Sequence, residues 1–167
     1  MENIIEIRGE IDDRVKEYVF ARLKEIISSG ERVIAISIDS KGGFIEVAKD
    51  IYDLLKSAKS EGIEIITYNE GDVISAATLI YLAGDIRIWN PDKGEFLIHK
   101  PTIDNISGNS EELLTAGIIL EQYEQSLVNF YKSFSDKSFE DILYRMSQEM
   151  PMTTEELIEY GFITEIA

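Results

Sequence analysis

Glu70-Gly71-Asp72-Val73-Ile74-Ser75-Ala76-Ala77-Thr78 is the stretch on which the reading of this chain turns. It follows the apolar run Ile63-Glu64-Ile65-Ile66-Thr67, which has the pattern of a buried strand. It precedes Leu79-Ile80-Tyr81-Leu82-Ala83, which predicts a short buried helix stopping at Gly84. A serine at a strand-to-helix turn carries its hydroxyl near the helix N-terminus, where unpaired N–H groups and the positive dipole end face an anion. That position suits a nucleophile attacking a carbonyl. It suits a helix cap as well, and because Ser is a preferred N-cap residue the cap is the commoner reading of this stretch alone.

Outward from the turn, the chain alternates strand and helix patterns. Asn3 to Arg8 reads as a first strand, and Ile11 to Ser28 as a helix capped by Asp12 and stopped by Gly30. Val33 to Ile38 is a continuous β-branched run, the pattern of a strand buried on both faces. Ser40-Lys41-Gly42-Gly43 leads into a helix from Phe44 to about Lys59. On the other side of Ser75, Asp85 to Trp89 and Glu95 to Ile98 read as short strands, the second delivering His99 at its C-terminal end. A long helix is expected from Ser110 to Ser133 and a shorter one from Ser138 to Ser147. Thr153 to Glu156 is a capping box for a last helix, and Phe162 to Ile166 a final strand. Helices crossing between buried parallel strands predict an α/β fold with right-handed crossovers, in one domain over residues 1–167. The long helix carries more apolar residues than one face needs, among them Leu113, Ile118, Ile119, Leu120, Tyr123, Leu127 and Phe130. They either cover the domain's own core or pack partly on another subunit.

Composition narrows the function. There is no cysteine and a single histidine, His99, so disulfides, thiolate metal sites and multi-histidine zinc sites are excluded. Any mechanism needing a neutral imidazole as base must use His99. The chain has 32 acidic against 16 basic residues, a net charge of -16, which makes phosphate backbones and anionic lipid poor partners. No apolar run approaches the roughly 20 residues of a membrane span, and the N-terminus lacks the basic and apolar regions of a signal peptide. A cytoplasmic protein binding neither nucleic acid nor membrane is expected.

Three loops follow the C-terminal ends of strands, where open α/β sheets build their sites: Ser40 to Gly43, Gly71 to Ser75, and His99-Lys100-Pro101. A Gly-Gly turn leaves backbone N–H groups unshielded, which suits an oxyanion, though a tight turn needing positive φ is the commoner reason for such glycines. Neither a phosphate-loop spacing nor the G-x-S-x-G nucleophile elbow is present. A serine, a histidine and a Gly-Gly turn after three different strands supply a nucleophile, a base and an oxyanion site.

Together these residues resemble the Clp protease proteolytic subunit family, within the crotonase-like superfold. Ile38 to Gly43 looks like the family's I-N-S-P-G-G turn, and Ile51-Tyr52-Asp53 like its following helix. Gly71 to Ala76 is similar to the G-Q-A-A-S-M nucleophile segment. Leu97 to Pro101 is similar to M-I-H-Q-P, and Glu156 to Gly161 to the E-A-x-E-Y-G ending. The resemblance implies a spiral of β-α-β units with a long protruding handle helix. It implies Ser75 as nucleophile, His99 as general base, and backbone N–H groups of Gly42 and Ala76 as oxyanion hole. The third triad member falls on Glu149, where the family usually has Asp, with Asp141 and Glu140 as alternatives. The implied activity is hydrolysis of peptide bonds in peptides or unfolded proteins, in a homo-oligomeric ring, with no metal or organic cofactor.

Departures from the family pattern are Lys41 in place of the turn's Pro and Ala76-Ala77 in place of Met-Gly. The chain also begins almost at the first strand, without the segment that lines the axial entrance in members working with an unfoldase ATPase, which speaks against such a partner. Short members of this kind also resemble Clp-like proteases encoded with phage capsid genes. Two alternatives stay open: a catalytically inactive ring subunit, and a crotonase-like enzyme holding the oxyanion of a coenzyme-A thioester.

Overall fold

The computed structural model describes residues 3–167; Met1 and Glu2, which open the expected 1–167 domain, lie outside the described residues. Strands β1 (Ile4–Arg8), β2 (Val33–Ser40), β3 (Glu64–Ile74), β4 (Ile86–Trp89) and β6 (Glu165–Ile166) lie side by side in that order, and every pair is parallel. Strand β5 (Phe96–Leu97) sits off this path, parallel to the far end of β3. Parallel neighbours need crossovers, and helices α1 (Asp13–Ser28), α2 (Ile45–Ser60) and α3 (Ala76–Tyr81) supply three of them. The last third of the chain adds α4 (Ser110–Lys132), α5 (Phe139–Ser147) and α6 (Thr154–Glu159).

The core follows from the β-branched strands. Ile5, Ile7, Ile34, Ile36, Ile38 and Ile65 are all buried, and the register sets Ile5 beside Ile36 and Ile7 beside Ile38. Helix α1 adds Val19, Leu23 and Ile26 at helical spacing, its first turn held by Asp12, whose carboxylate accepts from Val15 N–H at 3.1 Å. Helix α2 adds Ala48, Ile51 and Leu55. Arg87 ties the C-terminal segment down, donating to the carbonyls of Gly84 at 3.0 Å, Gly161 at 3.0 Å and Phe162 at 2.9 Å.

One expectation is corrected. The segment from Gly71 to Ile74 is not a loop: β3 continues unbroken to Ile74, directly before Ser75. Its inward positions just beyond Thr67 are Asn69 and Gly71, so no apolar alternation announces the extension. The side-chain amide of Asn69 instead donates to Asn90 O at 2.9 Å and its carbonyl accepts from Asn90 N–H at 2.7 Å. Of the two roles left open for the apolar residues of the long helix, cover of the domain's own core takes only part of them. Its fully buried positions are Leu127, Val128 and Tyr131, while Leu113, Leu114, Ile118 and Ile119 stand open to solvent in this single chain. No helix among the described residues is long and apolar enough to cross a membrane.

Phe96 is the hub that fixes β5. Its ring lies edge-on to Tyr81 at 5.6 Å and Trp89 at 5.8 Å, and stacks on Phe162 at 5.9 Å. Phe96→Ala is expected to cost about 3–5 kcal/mol of unfolding free energy. Urea unfolding followed by circular dichroism checks this, and a loss under about 1 kcal/mol would contradict the hub role.

Candidate active site

Ser75 sits between the end of β3 and the start of α3 with φ 57° and ψ −126°, a backbone conformation costly for a residue with a side chain. The surroundings hold it there. Ser75 N–H donates to Leu97 O at 2.8 Å, and its carbonyl accepts from Thr78 N–H at 3.0 Å and Thr78 Oγ1 at 2.6 Å. Behind Thr78, the Tyr131 hydroxyl of α4 lies 2.7 Å from Oγ1, and burial pushes that phenol's pKa upward.

The cap reading of Ser75 is overturned. Although Ser75 occupies the N-cap position of α3, its hydroxyl makes no capping hydrogen bond. A capping residue needs an extended backbone so that its oxygen can turn onto the helix, and positive φ removes that option. The Oγ has no hydrogen-bond partner among the described residues, and it lines an open cavity.

His99 reaches the same cavity by way of β5. The ladder pairs Ile74 with Leu97, so the chain just beyond Leu97 runs alongside Ser75. Ser75 and His99 both line a cavity of about 390 Å³, walled by Phe44, Ile45, Pro101, Ile103, Ile119 and Leu120. No hydrogen bond joins the serine hydroxyl to the imidazole among the described residues.

The two glycines before α2 differ in what their N–H groups do. Gly42 N–H donates to Ser40 Oγ at 3.1 Å, and that hydroxyl donates to Gly9 O at 2.5 Å, so the Gly42 donor is occupied. Gly43 lines the cavity with Ser75 and His99, and its N–H has no partner among the described residues. Both positions exclude a side chain: a Cβ on Gly42 would stand 2.8 Å from Ser75 Cβ, and one on Gly43 2.3 Å from Ile11 O. The Ala76 N–H, at the first position of α3, is likewise without a partner among the described residues.

Glu149 is exposed, with φ 49°, and does not line the cavity. An antiparallel bridge nevertheless joins its segment to the strand bearing His99: Met152 pairs with Phe96, and Met152 N–H donates to Phe96 O at 2.7 Å. Three residues back from Met152 is Glu149 and three residues on from Phe96 is His99, so the antiparallel count runs toward this pair. Arg145, buried beneath, donates to Pro151 O at 2.9 Å and pairs with Glu156 at 3.1 Å, which holds the bridge segment in place. Asp141, an alternative third member, is committed elsewhere: it closes a capping box with Ser138, whose hydrogen bonds hold its carboxyl below the usual range. Glu140 is exposed in the first turn of α5.

The sequence reading gave no site role to Thr78, Glu46, Tyr123 or Tyr131, the two tyrosines counting only toward the apolar stripe of the long helix. The Tyr123 hydroxyl of α4 donates to Glu46 at the start of α2, which pushes the tyrosine's pKa upward, and both residues line the cavity. Among the described residues, no group of three or more His, Cys, Asp or Glu side chains is arranged to hold a metal ion.

Comparison with known proteins agrees with this architecture. The chain is 25% identical over 162 residues to an ATP-dependent Clp protease proteolytic subunit 2 of Gluconobacter oxydans, covering 96% of this chain and 71% of that one. It is 28% identical over 166 residues to a protein of the same name from Treponema denticola, covering 96% and 80% respectively. The solved structure of a ClpP1 point mutant from Listeria monocytogenes superposes with a TM-score of 0.86 at 24% identity, over 99% of this chain and 91% of that chain. A family model described as Clp protease matches residues 1–167, and the chain therefore belongs to the Clp protease family.

Proposed function

We propose that the chain is a serine peptidase whose catalytic groups are Ser75, His99 and Glu149, acting on peptides or unfolded proteins as a single domain within a homo-oligomeric ring. The observation that carries this reading is the Ser75 turn: a strained backbone, over-determined by Leu97 and Thr78, holding a hydroxyl with no structural partner in an open cavity. A serine kept only to cap α3 would not need that conformation.

In the proposed cycle His99 takes the Ser75 proton as the hydroxyl attacks the scissile carbonyl. The developing oxyanion is held by the N–H groups of Gly43 and Ala76. Gly43 replaces Gly42 in this role because the Gly42 donor is spent on Ser40. The imidazolium then gives its proton to the leaving amine, and water resolves the acyl-enzyme by the same route. Glu149 orients the imidazole once its segment closes on His99. Assembly supplies that closure in this reading, and the exposed Leu113, Leu114, Ile118 and Ile119 of α4 support a subunit contact there. No metal or organic cofactor takes part, and the cytoplasm is the working compartment. An inactive ring subunit is the second reading, favoured by the missing contacts from His99 to Ser75 and to Glu149.

The decisive experiment is labelling with a fluorophosphonate probe, mapped by mass spectrometry. Ser75 should be labelled in the assembled protein, and His99→Ala should reduce the labelling rate at least about a hundredfold. An unlabelled Ser75 in the assembled protein would favour the inactive subunit. For the ring, Leu114→Asp with Ile118→Asp should shift the mass in sedimentation toward the 19.0 kDa single chain. The change in monomer stability should stay within about 0.5 kcal/mol per site, as for exposed positions. An unchanged assembly would place the subunit contact elsewhere.

A further inference from the structure

The cavity beside Ser75 is apolar along most of its wall, from Phe44, Ile45, Pro101, Ile103, Ile119 and Leu120, and carries one carboxylate, Glu46. Glu46 lies in the first turn of α2, just past the Gly-Gly turn, and is itself exposed. Its Oε1 accepts the Tyr123 hydroxyl, which fixes the carboxylate against α4, while Oε2 has no partner among the described residues. Among the described residues no lysine or arginine forms an ion pair with Glu46, and Lys100, next to His99, is held by Glu124 at 3.1 Å. A largely apolar cavity with a carboxylate on its wall matches a side chain with an aliphatic stem and a cationic head.

Resting on the peptidase reading above, we infer that this cavity receives the substrate residue that donates the scissile carbonyl, that it selects lysine or arginine there, and that Glu46 is the residue determining this specificity. The substrate backbone presents its carbonyl to Ser75, and the adjoining side chain enters the cavity along Ile119 and Leu120. Its guanidinium or ammonium then meets Glu46 Oε2. Tyr123 acts as a positioning residue by holding Oε1. A charge-assisted hydrogen bond at this point is worth roughly a tenfold or greater preference over an uncharged side chain of similar length.

The test is a panel of fluorogenic peptides differing only in the residue before the scissile bond: Arg, Lys, Gln, Leu and Phe. It is run on the assembled wild-type protein, on Glu46→Gln and on Glu46→Lys, with fluorophosphonate labelling of Ser75 in parallel. In wild type, kcat/KM should be about tenfold or more higher for Arg and Lys than for Gln. The Arg-to-Leu ratio should fall at least about tenfold in Glu46→Gln and further still in Glu46→Lys, while Ser75 stays labelled in both. Labelled Ser75 with an Arg-to-Leu ratio unaffected by Glu46→Gln would overturn this inference and leave the peptidase reading standing. Unlabelled Ser75 in wild type would overturn both.

Discussion

The hydrogen bond from Ser75 N–H to Leu97 O is the contact on which the site depends. It closes the parallel ladder between the far end of β3 and the short β5, and so sets the turn bearing the hydroxyl beside the strand bearing the imidazole. A two-residue strand has little hold of its own. Phe96, packed among Tyr81, Trp89 and Phe162, gives it one, and the bridge from Met152 to Phe96 adds another from the C-terminal segment. Core packing and site geometry therefore meet on neighbouring residues of β5.

Strain at Ser75 belongs to the same arrangement. A positive φ with a side chain costs of order 1–3 kcal/mol and persists only where its surroundings over-determine it. Two hydrogen bonds onto the Ser75 carbonyl from Thr78, with Tyr131 buttressing Thr78 from α4, do this here. The consequence is chemical. The hydroxyl makes no hydrogen bond to the helix it precedes, and the Ala76 N–H stays unspent, available to an incoming oxygen.

Much of the fold was legible in the sequence because its strands are β-branched and its helices are capped. Asp12, Thr153 and Glu156 behave in the structure as their spacing predicted. The half of β3 beyond Thr67 was not legible, because Asn69 is satisfied inside the core through Asn90 rather than by being apolar. At the site, Ser75 and His99 line one cavity, whereas the resemblance put an oxyanion donor on Gly42 rather than on its neighbour Gly43. No spacing announces that the Ser40 hydroxyl takes the Gly42 N–H. Glu46 was invisible for a different reason. On α2 it reads as one more solvated carboxylate in an acidic chain, and only its contact with Tyr123, 77 residues away in sequence, sets it on the cavity wall.

The central claim is that the Ser75 turn holds an activated hydroxyl beside two unspent N–H donors. A crystal structure of the assembled protein after reaction with a peptide boronate tests it most directly. The account predicts a covalent bond from Ser75 Oγ to boron, with one boronate oxygen within hydrogen-bond distance of both Gly43 N and Ala76 N and the other near His99. A boronate bound elsewhere, or a Ser75 adduct whose oxygens touch neither N–H group, would contradict it.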